Sequence, residues 1–238
     1  MEISLILLSA AVSYLLGAIS FSRLISRLLD PKIDLEQTHL PNSDGTQGDR
    51  LLTIGATTAS VRFGAGVGCL IGLLDILKGF APTLAFKLLY PTEYYYLIAS
   101  VFAVIGHNWP IYYRFKGGTG MATILGGLLA VDWVGTLACN AVGMLIGFGL
   151  VRDLVVAYTG WTWLMIPWLW IRTGDPVMAL YALSLNLAFF LALVPELKRY
   201  IESRKQGKIE MGQTMESFPM GRGMLKMARM MGFMKEKG

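Results

Sequence analysis

The sequence predicts an all-α membrane protein, a bundle of about seven membrane segments. Of the 238 residues, 54% are hydrophobic and only 16% are charged, and the mean hydropathy is +0.53. A soluble domain has about 25% charged residues, so this composition excludes an ordinary soluble protein. The apolar residues are also gathered into long runs. A run of about 20 apolar residues crosses a bilayer as a helix, so one compact membrane bundle is expected.

The apolar runs define the predicted segments in chain order. Six approach or exceed the length of a full crossing: 3–29, 66–89, 95–111, 134–151, 154–171 and 177–194. A seventh, 121–131, is shorter and ends at Asp132, so we expect it to lie partly inside the protein. The opening run has no basic N-terminal region and no clear cleavage site, which predicts a retained helix and not a removable signal.

The positions of lysine and arginine predict the orientation. Of 21 such residues, 18 fall in the 30–65 loop, the 106–123 loop, the turn near residue 152, the basic end of the first segment or the C-terminal tail. Only Lys87 and Arg172 fall on the opposite loops. Positive residues mark the cytoplasmic side, so these loops and the C-terminus should be cytoplasmic and the N-terminus external. The net charge of +5 suits anionic lipid, and nothing indicates nucleic acid.

Two parts are predicted along the chain. Residues 1–201 form a membrane domain, and residues 202–238 form a basic, Met-rich cytoplasmic tail that is either an interfacial helix or disordered. Cys69 and Cys139 lie in apolar segments, and neither their number nor their spacing indicates a metal site or a disulfide framework. We expect both cysteines to be packing residues.

The polar loop 106–123 is the strongest indication of function. Its glycines remove Cβ atoms from one side of a turn, so successive backbone N–H groups can surround an anion while basic residues supply charge. The apolar segment that follows would aim a helix N-terminus at the same point. The residues of this predicted phosphate cradle are Lys116, Gly117, Gly118, Thr119 and Gly120. The alternative is a glycine-rich turn whose charges only mark the cytoplasmic side.

A second polar cluster, in segment 54–64, lies on the same predicted face before the second span. It is rich in small and hydroxyl residues and includes Thr57, Thr58 and Arg62. We therefore predict that two cytoplasmic bends, distant in sequence, converge into one basic pocket that suits an anionic headgroup.

Asp75 and Lys78 are predicted to lie within the second span. An isolated charge there costs roughly 2.5–3.5 kcal/mol on insertion scales, so both side chains must be sheltered. Their i,i+3 spacing places them on one helix face and permits an ion pair that points into the bundle. Two interpretations remain open, a pair that fixes packing and a pair that holds a charged substrate.

Two signatures in these loops resemble those of a known family. Gly106-His107, Pro110 and the run 115–123 follow the pattern G-H-x-x-P then F-[KR]-G-G-K-G-x-A-T, with Thr119 in place of the second lysine. Residues 54–57, Arg62 and Gly64 follow N-x-G-A-T-N then Arg and Gly, with threonines in place of both asparagines. The chain resembles the bacterial integral-membrane glycerol-3-phosphate acyltransferases that use acyl phosphate as donor.

A third family signature, T-R-Y-V-S-L-S-S, is only partly matched. Arg152 is retained, whereas Val155, Ala157 and Tyr158 stand where the family has serines. The resemblance therefore describes a divergent member, and it covers about residues 1–200.

The resemblance implies acyl transfer from acyl phosphate to a hydroxyl of glycerol 3-phosphate, giving lysophosphatidic acid and phosphate in phospholipid biosynthesis. It implies a multi-pass enzyme of the plasma membrane whose active face is cytoplasmic and which needs no cofactor and no metal. It also implies a partner enzyme that produces the acyl phosphate. Because acyl phosphate is already activated, the protein need supply mainly positioning and charge stabilisation.

The resemblance also suggests roles for the candidate residues. Lys116 and the glycines would hold phosphate, Arg62 would make a second anion contact, and Thr57 and Thr58 would donate hydrogen bonds. His107 either takes a proton from the acceptor hydroxyl or holds the loop by hydrogen bonding.

Two alternatives stay open. His39 and Asp44 have the H-x4-D spacing of unrelated glycerolipid acyltransferases, in which the histidine is the base and the aspartate orients it. The replaced signature residues, in turn, fit a family offshoot that binds an anionic lipid or phosphate without transferring an acyl group.

Overall fold

A computed structural model describes residues 1–41, 47–151 and 154–205. It is a bundle of helices, as predicted. Within the described residues, four helical stretches are long and apolar enough to cross a membrane, namely Ile3–Leu29, Ala65–Leu89, Met121–Val151 and Pro176–Glu196. The helices are α1 (Ile3–Gly17), α2 (Phe21–Leu29), α3 (Ala56–Phe63), α4 (Ala65–Leu89), α5 (Tyr95–Asn108), α6 (Met121–Leu145), α7 (Leu154–Thr173) and α8 (Pro176–Lys205).

The first predicted segment, 3–29, is two helices in the structure. The helix breaks after Gly17, and the Ser20 hydroxyl accepts the backbone N–H of Arg23 at 3.4 Å to begin α2. Helix α2 buries Ser22, Arg23 and Ser26 and exposes its leucines. Its polar face therefore turns toward the protein and its apolar face toward the surroundings, the reverse of a helix on a soluble domain.

The two predicted segments 121–131 and 134–151 form one continuous stretch, α6 and the turn after it, and they meet at Asp132. This residue has non-helical dihedral angles, φ −149° and ψ 89°. The Lys87 ammonium donates to the carbonyl oxygens of Ala130 and Val131 at 2.9 and 2.8 Å. The Asp132 carboxylate accepts the Gly135 N–H at 3.0 Å. Backbone groups at the kink are thus satisfied by side chains, and a six-residue π-helical turn, Ile146–Val151, follows α6.

Each half of α6 packs along a different helix. The first half lies against α4 at Gly79 and Lys87, and the second lies against α7, where Gly135 faces Trp168 and Gly143 faces Trp161. Asp132 therefore marks the point at which the chain changes its partner helix.

The predicted loop 30–53 contains some regular structure. A 3₁₀ turn, Leu35–Gln37, precedes β1 (His39–Pro41), which pairs antiparallel with β2 (Gln47–Arg50). This hairpin departs from the all-α prediction. It was missed because its strands are only three and four residues long and rich in turn-forming residues.

The predicted tail lies almost wholly outside the described residues, since α8 extends to Lys205. Of the two cysteines, Cys139 is buried as predicted and Cys69 is exposed. The prediction that Cys69 is a packing residue is therefore wrong, because its side of α4 faces outward.

Glycines set the closest helix contacts in the bundle. A Cβ atom at Gly79 would collide with the carbonyl of Thr123, and one at Gly126 would collide with the carbonyl of Ile76. Gly17 and Gly106 make the equivalent close approaches between α1 and α5. Small residues at such crossings allow two backbones to approach in a membrane, and here they bring α4 against α6 and α1 against α5.

Replacing Gly79 with alanine is expected to lower the free energy of unfolding by about 1–3 kcal/mol, because overpacking forces the two backbones apart. The matched control is Gly72→Ala on the same helix, where the new Cβ would lie 3.9 Å from the nearest atom, in ordinary contact. Thermal unfolding in detergent measures both variants. Equal midpoints for the two would show that the α4–α6 crossing relaxes without cost.

Candidate functional site

One pocket lies where the α1–α2 connection, α4 and the C-terminal end of α5 meet. Its walls include Ile19, Ser20, Ile54, Lys78, His107 and Gly117. The break between α1 and α2 and the glycine contacts between helices bring these residues to one place. The pocket thus joins intramembrane charged residues to both predicted loops.

Asp75 and Lys78 form an ion pair inside this pocket. The Lys78 ammonium lies 2.9 Å from the Asp75 carboxylate, and each side chain is only 5% exposed. The ammonium also donates to the carbonyl oxygen of Ile19 at 2.8 Å, a group left without a helical partner by the break before α2. Two of the three ammonium N–H groups therefore have acceptors in the protein.

His107 lies beside this pair at the last turn of α5. Its Nδ1 atom is 3.6 Å from the Asp75 carboxylate, which is longer than a hydrogen bond. Its Nε2 atom faces Gly118, where a Cβ atom would collide with the ring. The imidazole therefore lies in a buried site between the Asp75 carboxylate and the segment 114–120, which we call the glycine loop.

The glycine loop folds back onto the end of α5. Arg114 and Phe115 adopt left-handed backbone angles, φ 52° and 60°. The Lys116 N–H donates to the Tyr113 carbonyl oxygen at 3.1 Å, and the Gly118 N–H donates to the His107 carbonyl oxygen at 3.3 Å. Two N–H groups of the predicted cradle are thus used within the loop and are not directed at an anion.

The glycines of the loop allow its close approach to α5. A Cβ atom at Gly117 would collide with the carbonyl oxygen of His107, and Gly120 has φ +84° where it begins α6. Thr119 lies between them, half-buried. The loop is therefore shaped by packing against α5 as well as by any anion that it binds.

The two polar segments converge, through one hydrogen bond. The backbone N–H of Ile54 donates to the carbonyl oxygen of Gly117 at 2.9 Å. Thr58 is buried and donates its hydroxyl to the Thr53 carbonyl oxygen at 2.7 Å, while Thr57 is half-buried at the start of α3. The Thr53 N–H and hydroxyl both donate to Glu196 near the end of α8.

The two predicted cationic groups, Arg62 and Lys116, do not line the pocket and contact other partners. Arg62 is exposed and donates to the Thr38 hydroxyl at 3.2 Å and to the Gln37 carbonyl oxygen at 3.1 Å. The Lys116 ammonium lies 2.7 Å from the Glu36 carboxylate. Both groups thus contact the segment 36–38, Arg62 at Gln37 and Thr38 and Lys116 at Glu36.

Two residues of this region, Arg23 and Glu36, were not predicted as site residues. Arg23 is buried and donates to the Lys116 carbonyl oxygen at 2.8 Å. Its guanidinium also lies 3.5 Å from Glu36 and 4.5 Å from the centre of the Tyr113 ring. The available signal was the polar stripe of α2, in which Arg23 lies between Ser22 and Ser26 on one helix face.

The carboxylate of Glu36 is charged in this arrangement. The hydrogen bond from Lys116 lowers the pKa of Glu36 below its ordinary value, and the charges of Lys116 and Arg23 act in the same direction. A lowered pKa means that the contact stabilises the fold above the unfolded carboxyl's pKa and is lost as the pH falls through the folded value. The Glu36 carboxylate is therefore charged at neutral pH.

The remaining candidates lie at or beyond the edge of the described chain. His39, in β1, has its Nδ1 atom 3.0 Å from the Gln37 carbonyl oxygen, and Asp44 lies outside the described residues, as does Arg152. Within the described ranges, no group of three His, Cys, Asp or Glu residues is arranged to hold a metal ion.

Comparisons with known proteins point to one family. The family model "Glycerol-3-phosphate acyltransferase" matches residues 7–203. A glycerol-3-phosphate acyltransferase of Halalkalibacterium halodurans is 30% identical over 195 residues, which cover 76% of this chain and 89% of the relative. One of Pseudothermotoga lettingae is 37% identical over 125 residues, and that match spans 56% of the relative, about half its length.

Solved structures agree in fold. Two crystal structures of PlsY (YgiH), an integral membrane glycerol 3-phosphate acyltransferase, superpose with a TM-score of 0.67. The glycerol 3-phosphate form is 24% identical and the match covers 87% of this chain and 94% of that one. The lysophosphatidic acid form is 25% identical, with 89% and 97% covered.

Proposed function

The chain belongs to the glycerol-3-phosphate acyltransferase family, and we propose that it transfers an acyl group from an acyl phosphate to glycerol 3-phosphate. The products are lysophosphatidic acid and inorganic phosphate. The observation that carries this function is the family match over residues 7–203, which contains both loops that meet at the pocket. The related crystal structures are described as glycerol 3-phosphate and lysophosphatidic acid forms, the acceptor and the product of this reaction.

The chemistry requires little covalent participation by the protein. The acceptor hydroxyl oxygen attacks the acyl carbonyl carbon, the bond from that carbon to the phosphate oxygen breaks, and the hydroxyl proton leaves. An acyl phosphate is a mixed anhydride with a good leaving group, so orientation and charge stabilisation provide most of the acceleration. The buried charged groups Asp75 and Lys78 beside His107, with Lys116 on the adjoining loop, suit that task.

We assign the proton to His107 and the phosphate groups to the loops around it. His107 is buried, and its ring lies between Asp75 and the glycine loop. One phosphate would be contacted from the loop 106–123, by Lys116, Gly117, Gly118, Thr119 and Gly120. Arg62, Thr57 and Thr58 would contact a second phosphate from the α3 side, after Arg62 exchanges its hydrogen bonds to segment 37–38 for the ligand.

We further propose about seven membrane segments, with the site at the cytoplasmic face of the plasma membrane. The distribution of lysine and arginine supports this orientation. Glu196 of α8 contacts Thr53 near the pocket, whereas the N-terminal amine pairs with Glu93 at the start of α5, the opposite end from His107. The C-terminus would then be cytoplasmic and the N-terminus external, and an acyl-phosphate-producing enzyme would deliver the donor on the cytoplasmic side.

The test uses protein reconstituted into vesicles with labelled glycerol 3-phosphate and acyl phosphate. Lysophosphatidic acid should appear, and Lys116→Ala should lower kcat/KM by about 10- to 100-fold, because a charge-assisted hydrogen bond contributes roughly 1.5–3 kcal/mol. Arg62→Ala should also impair transfer. Lys32→Ala is the control, since Lys32 is exposed on the segment after α2.

Three results would change the assignment. Undiminished turnover in both Lys116→Ala and Arg62→Ala would refute the phosphate contacts. Binding of glycerol 3-phosphate without any product would favour a non-catalytic offshoot of the family. Loss of activity in His39→Ala would instead support the H-x4-D arrangement of His39 and Asp44.

A further inference from the structure

Arg23 is a buried cation outside the residues assigned to substrate. It is 8% exposed, on the polar face of α2, although α2 is a nine-residue helix at the edge of the bundle. Burying a guanidinium is costly unless its N–H groups find acceptors and its charge finds a partner. The groups that Arg23 contacts therefore indicate which part of the structure it stabilises.

The guanidinium makes three contacts, with Lys116 and Tyr113 of the loop 106–123 and with Glu36. One nitrogen donates to the backbone carbonyl oxygen of Lys116 at 2.8 Å. A second lies 3.5 Å from the Oε1 atom of Glu36. The planar group also stacks over Tyr113, 4.5 Å from the ring centre. A guanidinium is planar and has several N–H groups, so it can pair with a carboxylate and stack on an aromatic ring at the same time. The ammonium of lysine cannot do both.

Arg23 and the Lys116 ammonium share the carboxylate of Glu36. The ammonium binds the Oε2 atom at 2.7 Å, while Arg23 faces Oε1. Arg23 thus holds Lys116 twice, directly at its backbone and indirectly through the counterion of its side chain. The Lys116 side chain itself is 58% exposed, so these contacts supply much of its constraint.

The neighbouring bonds extend the constraint into the pocket. The next residue, Gly117, accepts the Ile54 N–H, and Gly118 donates to the carbonyl oxygen of His107. A displacement of Lys116 would therefore move the junction of the two loops and the peptide beside the His107 ring. Binding groups that are no longer held in place bind a ligand more weakly, because the ligand must then order them.

On the basis of the acyl transfer proposed above, we infer that Arg23 is a positioning residue for phosphate binding. It fixes the glycine loop through the Lys116 carbonyl and orients the Lys116 ammonium through Glu36. Arg23 does not touch substrate. Its removal should weaken the binding of the phosphorylated acceptor more than it slows the chemical step.

The test compares Arg23→Met, Arg23→Lys and the control Arg27→Met. Methionine keeps an apolar stem without charge, and lysine keeps the charge without the fork. Arg27 is one helical turn further along α2 and exposed, so its replacement controls for the loss of a positive charge near the membrane. Binding of glycerol 3-phosphate is measured by calorimetry in nanodiscs, alongside KM, kcat and the thermal midpoint.

Arg23→Met should raise Kd and KM for glycerol 3-phosphate by about tenfold while kcat changes by less than about threefold, the pattern of lost ground-state binding. Arg23→Lys should have the wild-type thermal midpoint but the weakened affinity for glycerol 3-phosphate, because an ammonium cannot contact both the Lys116 carbonyl oxygen and Glu36. Arg27→Met should match the wild type. The effects of Arg23→Met and Glu36→Gln should be non-additive, since both act through Lys116.

Two results would overturn the inference. One is an affinity for glycerol 3-phosphate equal to that of the wild type in both Arg23→Met and Arg23→Lys. The other is recovery of both midpoint and affinity in Arg23→Lys, which would show that only the charge matters. If the wild-type protein binds glycerol 3-phosphate yet forms no lysophosphatidic acid, the proposed reaction fails, while the binding comparison still decides the role of Arg23.

Discussion

Asp75→Ala is expected to lower the free energy of unfolding by about 3–5 kcal/mol, because it leaves the ammonium of Lys78 buried without its counterion. The two side chains are each 5% exposed and 2.9 Å apart. Only the Ile19 carbonyl oxygen would remain as a hydrogen-bond acceptor for the ammonium. Thermal and denaturant unfolding in detergent measure the loss.

The matched control removes both charges. Asp75→Leu with Lys78→Met should recover most of the lost stability, since an apolar pair of similar volume often replaces a buried ion pair at little cost. The double variant also separates the two interpretations of this pair. We expect it to fold and to transfer no acyl group, because Asp75 flanks His107 and Lys78 lines the pocket. Full activity in the folded double variant would show that the pair serves packing alone.

The sequence was sufficient to predict the membrane bundle and the meeting of the two loops. Long apolar runs predicted where the membrane helices lie along the chain, but the first segment is two helices and segments 121–131 and 134–151 are continuous across Asp132. The convergence followed from topology, because both polar segments lie on the side rich in lysine and arginine. The hydrogen bond from Ile54 to Gly117 confirms that the two segments meet.

The partners of the charged residues could not be predicted in the same way. Lys116 was assigned to an anion, and in the structure its ammonium binds Glu36, which comes 80 residues earlier. Arg23 was counted only as a topological charge, and it contacts a carbonyl 93 residues later. Such long-range pairs depend on the break between α1 and α2 and on the 3₁₀ turn that carries Glu36. Neither feature has a periodic pattern from which it could be derived.

The glycine loop shows a related limit. The glycine spacing was interpreted as a phosphate cradle or as a glycine-rich turn, and it did not indicate a packed helix end. In the structure the approach of Gly117 and Gly118 is to the end of α5, at His107. The same absence of Cβ atoms suits an anion and a packed helix end, so composition alone does not distinguish them.

Gly118→Ala is expected to reduce acyl transfer by about 100-fold, because a displacement of about 1 Å at a reacting group has an effect of that size. The new Cβ atom would collide with Nε2 of His107 and lie within 3.3 Å of two further ring atoms. The ring cannot retreat freely, since it is buried and the carboxylate of Asp75 lies 3.6 Å from its Nδ1 atom. The kcat for lysophosphatidic acid formation in vesicles measures the effect.

Gly66→Ala is the matched control, since a Cβ atom there would meet nothing within 4 Å in the first turn of α4. It should keep wild-type turnover and a thermal midpoint equal to or slightly above that of the wild type, because alanine favours helix over glycine. Gly118→Ala should unfold near the wild-type temperature if the loop shifts to admit the methyl group, so that the loss is one of geometry at His107. A folded Gly118→Ala protein with normal kcat would mean that the loop admits the methyl group without disturbing the imidazole, and Gly118 would then have to be withdrawn as a residue that fixes the geometry at His107.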